Sequence, residues 1–189
     1  MKFKKIILTF FLFLALAGCS TAGSAANGAQ EQNFKAPLQN KIFYRRPTSY
    51  HWLKINNTQD SRGTMIHYVD VPADESVNHW TQTITEAYYV KNEQATAEGT
   101  AQEFSTYMKN LCQIEGWSTT HNSSKDITIK ATVKNCQGIV APDGYLVIRF
   151  WQGSDAISSL SYQARLAVVT ESLKAEMVKT VANASLQSN

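Results

Sequence analysis

The chain has 189 residues, 43% of them hydrophobic, with 18 Lys+Arg set against 15 Asp+Glu. Three of the basic residues, Lys2, Lys4 and Lys5, stand at the extreme N-terminus, and setting them aside leaves fifteen charges of each sign. A chain without a net positive field lacks the long-range attraction behind non-specific nucleic-acid binding, so nucleic acid is excluded as a partner.

Behind those lysines, residues 6 to 17 are apolar except for Thr9. The run is too short for the roughly 20 residues of a helix that crosses a bilayer. Its order of charge, apolar core and small residues is that of a secretory signal peptide. It closes on Leu16-Ala17-Gly18-Cys19, which resembles the lipobox of bacterial lipoproteins. The resemblance implies cleavage between Gly18 and Cys19, then diacylation of the Cys19 thiol and often acylation of the new amine, palmitate included. Two or three chains, each contributing about 0.8 kcal/mol per buried CH2, give a stable membrane anchor. Ser20 stands where an aspartate would retain the protein at the inner membrane, which implies the cell outer membrane with the head in the periplasm.

Residues 19–40 read as the acylated N-terminus and a tether. The stretch STAGSAANGAQEQN, residues 20–33, holds almost nothing bulky and apolar to offset its ordering entropy. As a flexible linker, residues 20 to about 40 would have a mean reach of roughly 25 Å. Residues 41–189 read as one head domain. The head opens on FYRRPTSYHW, residues 43–52, where Tyr44, Arg45, Arg46, Tyr50 and Trp52 combine the residue types favoured at protein interfaces. The same aromatics would equally serve as core residues of a first strand, with the arginines solvated.

The alternation in TMIHYVDV predicts a strand over 64–71, ended by Pro72-Ala73-Asp74, and WTQTITEAYYV predicts another over 80–90. Thr100-Ala101-Gln102-Glu103 reads as a capping box at the start of a helix. Phe104, Met108, Leu111 and Cys112 share one face of that helix, and Gly116 is its expected stop. DITIKATVK, residues 126–134, alternates without a break and predicts a strand with one buried and one wet face. After the Pro142-Asp143-Gly144 turn, GYLVIRFWQ and AISSLSYQA predict a hairpin about Gly153-Ser154-Asp155. A last helix follows, with Leu166, Val169, Leu173, Met177 and Val181 as its apolar stripe. The fold class is α+β: an antiparallel sheet with two amphipathic helices packed on one face.

With Cys19 acylated, Cys112 and Cys136 remain. An exported pair is normally joined, and closing a loop of this size stabilises by roughly 3 kcal/mol. Free thiols, or a redox or metal site, are the alternatives. The spacing is not the C-x-x-C of a redox pair.

The motifs of known catalytic sites are missing: no G-x-S-x-G, S-x-x-K, Walker loop or G-x-G-x-x-G occurs. His51, His67, His79 and His121 are scattered, with no ligand spacing. The expectation is therefore a protein that is not an enzyme and has no cofactor, metal or catalytic residue. A tryptophan opening a Thr-rich strand (Trp80 to Thr85), and Trp151 to Ala156 leading to Tyr162-Gln163-Ala164-Arg165, resemble stretches of small exported bacterial proteins of unknown function. That resemblance covers roughly half of the head and carries no site residues. The function expected is a lipid-anchored outer-membrane protein whose head binds or scaffolds an envelope protein, as a component of a secretion or envelope-assembly complex. The alternative is a ligand-binding protein or enzyme with a pocket between sheet and helices.

Overall fold

The computed structural model describes residues 39–59, 65–76, 79–90, 95–137 and 142–188. In chain order they form β1 (Asn40–Phe43), β2 (Trp52–Gln59), β3 (Met65–Pro72), β4 (Gln82–Val90), α1 (Ala97–Leu111), β5 (Gln113–Ser123), β6 (Asp126–Lys134), β7 (Gly144–Gln152), β8 (Ala156–Arg165), α2 (Glu171–Ala182) and β9 (Ser185–Ser188). A 3-10 turn, Leu166–Val168, links β8 to α2. Gly18 and Cys19, with the leader and tether, lie outside the described residues.

Seven strands make one sheet in the order β2-β3-β4-β8-β7-β6-β5, every neighbouring pair antiparallel. β1 and β9 form a separate two-stranded ribbon, which ties the start of the head to its end. The α+β class and the antiparallel sheet agree with the pattern read from the sequence. Cys112 and Cys136 are joined by a disulfide, as expected. The bridge sets the end of α1 against the end of β6, and Gln137 N donates to Leu111 O at 2.7 Å beside it.

The placement of the helices differs from expectation: they cover opposite faces of the sheet. On β7, Leu146, Ile148 and Phe150 pack with Phe104 and Met108 of α1, whereas Val147 and Trp151 pack with Leu173, Met177 and Val181 of α2. Alternate residues of one strand point to opposite faces, so the two helices cannot share one. The cause lies in GYLVIRFWQ itself, which is apolar on both faces and needs cover on both. β6, by contrast, buries Ile127, Ile129, Ala131 and Val133 under α1 and leaves Thr128, Lys130, Thr132 and Lys134 on the half-exposed side. At Gly144 a Cβ would collide with the carbonyl oxygen of Ala164, so no larger residue fits where β7 starts.

α1 starts one turn before the expected box. Thr96 is its N-cap, with Oγ1 accepting from Gly99 N at 2.9 Å, and Thr100 instead donates from Oγ1 back to Thr96 O. The helix also stops at Leu111, short of Gly116. Residues 113–123 form β5, a strand that the sequence hides. It is an edge strand, exposed along most of its length, so it lacks the alternation that marks a half-buried strand. Gly116 sits at a bulge in it, at φ +61°, a left-handed conformation that favours glycine.

The C-terminus of α2 has no glycine cap. Arg149, reaching from β7, takes its place: Nη1 donates to Ala182 O at 2.7 Å and Ala184 O at 3.0 Å. The same guanidinium forks onto Asp126, Nε to Oδ1 at 2.8 Å and Nη2 to Oδ2 at 2.6 Å. One side chain thus joins β6, β7 and the end of α2. Burial pushes the Asp126 carboxyl up, but hydrogen bonds from Arg149 and Asn122 and the Arg149 charge outweigh it and hold it below its ordinary value.

Two outcomes follow. Replacing Cys112 and Cys136 together by serine should lower unfolding free energy in urea by about 3 kcal/mol, with the wild type matching the variant once reduced. A carboxyl depressed in the fold contributes stability that is whole above its unfolded pKa, about 4, and is lost as pH falls through the folded value. Arg149→Met should therefore be less stable at pH 7 and show a shallower acid loss than wild type. Parallel urea midpoints against pH would refute the role given to this pair.

Candidate functional site

The segment between β1 and β2, residues 44–51, crosses the α2 side of the sheet at β3 and β4. It is held there by a buried carboxylate. Asp70 is on β3 opposite Ile84 of β4, only 1% exposed. Tyr44 donates its hydroxyl to Asp70 Oδ2 at 2.6 Å. Arg46 lays its guanidinium across both oxygens, Nε to Oδ2 at 2.8 Å and Nη2 to Oδ1 at 3.0 Å. Such two-pronged pairing suits the planar fork of arginine and gives the segment one register.

A second carboxylate lies on the same face. Glu86 of β4 is opposite Tyr68, and Lys54 of β2 is opposite Asp70. Lys54 Nζ reaches Glu86 Oε1 at 3.3 Å and stands 4.4 Å from the centre of the Tyr68 ring. Tyr88 donates to Glu86 Oε2 at 3.2 Å and accepts from Ile42 N at 3.0 Å. The two acids are buried while Arg46 and Lys54 are each 41% exposed. Negative charge is thus inside and positive charge reaches the surface.

Burial, followed by the charges of Glu86 and Asp70, pushes the Tyr44 phenol far above its ordinary range, so it remains a donor. For Arg46, burial works against the charged form, but its bonds to Asp70 and that residue's charge prevail and raise its pKa. Each Asp70 oxygen is engaged by a donor, which makes the carboxylate a fastener rather than a free base or metal ligand.

The five residues proposed from sequence separate into two groups. Tyr44 and Arg46 converge on Asp70. Arg45 is exposed, and Tyr50, 41% exposed, stands edge-on to Trp52 with centroids 6.0 Å apart. Trp52 is half-buried, donates Nε1 to Pro47 O at 3.0 Å, and meets the buried Tyr162 edge-on at 5.8 Å. Ser49 donates to Glu176 of α2 at 3.1 Å, which closes the segment against that helix. Asp70, Glu86 and Lys54 were not singled out from the sequence. The available signal was an acid inside the apolar run MIHYVDVP, which alternation places on a buried face.

Among the described residues, no group of three or more His, Cys, Asp or Glu is placed to hold a metal ion. His51, His79 and His121 are exposed. His67 is half-buried in β3, where burial lowers its pKa. A cleft between α1 and the sheet, lined by Trp80, Phe104, Met108, Val133, Pro142 and Leu146, encloses about 20 Å3. That is room for roughly one water molecule.

No family model matches the chain. No curated protein matches it either. Among solved structures, the solution structure of cyanobacterial PsbP (CyanoP) from Synechocystis sp. PCC 6803 is similar with a TM-score of 0.48 and 9% identity, over 88% of this chain and 100% of that one. Likeness at this level bears on neither family nor activity.

The clamp makes a measurable demand on stability. Arg46→Met strands a buried carboxylate and should cost about 2–3 kcal/mol, less than the roughly 3–5 of a fully buried pair because Arg46 is partly in water. Tyr44→Phe should cost about 1–2 kcal/mol. Urea denaturation that places both within about 0.5 kcal/mol of wild type, the range of neutral surface changes, would show that Asp70 does not hold the segment.

Proposed function

We propose that the protein is a non-enzymatic bacterial lipoprotein of the outer membrane, whose periplasmic head binds or scaffolds an envelope protein. The lipobox Leu16-Ala17-Gly18-Cys19 at the end of a signal-like leader carries this reading. The Cys112–Cys136 disulfide supports it, because such bonds persist in oxidising compartments. Exposed Tyr50, edge-on to Trp52 on a segment that the clamp holds in one shape, supplies a preorganised aromatic group of the kind that interfaces favour. The cleft under α1 gives no comparable support to a ligand-binding or enzymatic role.

Replacing Cys19 with alanine should abolish incorporation of labelled palmitate and release the protein from the outer-membrane fraction. Unchanged labelling and fractionation would dispose of the anchor. A photocrosslinker in place of Tyr50, activated in living cells, should give one reproducible protein adduct. An adduct yield no higher than that of a crosslinker at Thr120, exposed on β5 at the far sheet edge, would dispose of the contact surface.

A further inference from the structure

The chain enters the head at a fixed place. Gln39 N donates to Asp155 Oδ2 at 2.8 Å, and Asn40 Oδ1 accepts from Ser154 N at 3.0 Å and Ser154 Oγ at 2.8 Å. These bonds pin Gln39 and Asn40 to the β7–β8 turn. Directly afterwards the side chains divide by alternation. Ile42 and Tyr44 turn inward, to the α2-side core and Asp70, and Arg46, though partly exposed, is held on Asp70, while Lys41, Phe43 and Arg45 are exposed. Phe43 keeps 48% of its surface in solvent. On the neighbouring β9, Gln187 stands opposite Lys41 and Ser185 opposite Phe43, so no acid in the ribbon opposes the two cations. From Gln32 to Gln59 the sequence contains no Asp or Glu, but it contains Lys35, Lys41, Arg45, Arg46 and Lys54.

We propose that Lys41, Phe43 and Arg45 form a docking stripe for an anionic lipid surface, laying the head against the membrane that holds it. The inference rests on the lipid anchor at Cys19 for its setting. Two cations flanking an exposed aromatic have the composition of a membrane-interface contact: the ring enters the headgroup boundary and the charges meet lipid phosphates. Position selects a lipid surface over an acidic protein. Gln39 lies twenty positions after Cys19, at most about 70 Å of chain, so the stripe begins where the tether ends and stays at high local concentration near the bilayer. The pinned Gln39 and Asn40 keep the stripe, rather than another face, next to the attachment.

The test uses the mature polypeptide without acyl chains, residues 20–189, which contains both described hydrophobic clusters and the disulfide. It is sedimented with vesicles of phosphatidylcholine alone or with three parts in ten phosphatidylglycerol. Partitioning should rise about tenfold or more with the anionic lipid and fall again as salt is raised. Lys41→Glu with Arg45→Glu should remove that gain, and Phe43→Ser should weaken binding severalfold. All three positions are exposed, and near-ultraviolet circular dichroism verifies the fold. Equal binding to both vesicle types, or undiminished binding by the charge-reversed variant, would overturn the proposal. So would binding to a soluble poly-glutamate peptide without binding to anionic vesicles, which would assign the stripe to an acidic protein. Because no acyl chain is present, failure here is separate from failure of palmitate labelling at Cys19.

Discussion

Strand β7 is apolar on both of its faces, and the layering of the molecule follows from that. Leu146, Ile148 and Phe150 need one cover and Val147 and Trp151 another, which is why α1 and α2 lie on opposite sides of one sheet. An alternating strand such as β6 can sit at the margin with a wet face, but a strand apolar on both faces belongs near the middle. The order β4-β8-β7-β6 agrees, with β7 and β8 inside and the exposed β5 at the edge.

The outer pieces are held to that centre by two polar fasteners and one covalent one. Asp70 holds the segment after β1 through Tyr44 and Arg46. Arg149 holds the end of α2 and the start of β6. The disulfide holds the end of α1 to the end of β6. Each joins parts distant in sequence, and in the two polar fasteners both oxygens of the carboxylate, Asp70 or Asp126, accept hydrogen bonds from an arginine. This keeps polar groups inside without the desolvation cost of leaving them unpaired.

These fasteners have a shared consequence for the surface. With Tyr44 turned inward and Arg46 held on Asp70, Lys41, Phe43 and Arg45 stay exposed, and the same backbone that builds the clamp shapes the face where the chain enters the head at Gln39. Asp70 and Glu86, on β3 and β4, are engaged by Arg46 and Lys54, while Lys41 and Arg45 of the segment stand exposed. A chain balanced in total charge apart from Lys2, Lys4 and Lys5 thereby presents a locally positive stripe.

Much of this was legible in the chain. The strand DITIKATVK, the hairpin about Gly153-Ser154-Asp155, the Leu173-Met177-Val181 part of the last helix's stripe (Leu166 and Val169 precede the helix) and the pairing of Cys112 with Cys136 all follow from period, turn chemistry and cysteine count, which are local properties. Tertiary structure decided the rest. Only pairing turns the polar run 113–123 into β5, because an edge strand owes its form to a neighbour's hydrogen bonds rather than to its own pattern. Only the stacking of layers puts the helices on opposite faces. The convergence of Tyr44 and Arg46 on Asp70 was likewise hidden, because it depends on residues 24 or more positions apart meeting across a sheet. The sequence by itself determined which segments would be buried and where the stretch that resembles a lipobox stands. The fold decided which charges those segments would hide and which they would show, because charge neutralisation depends on distance in space rather than along the chain.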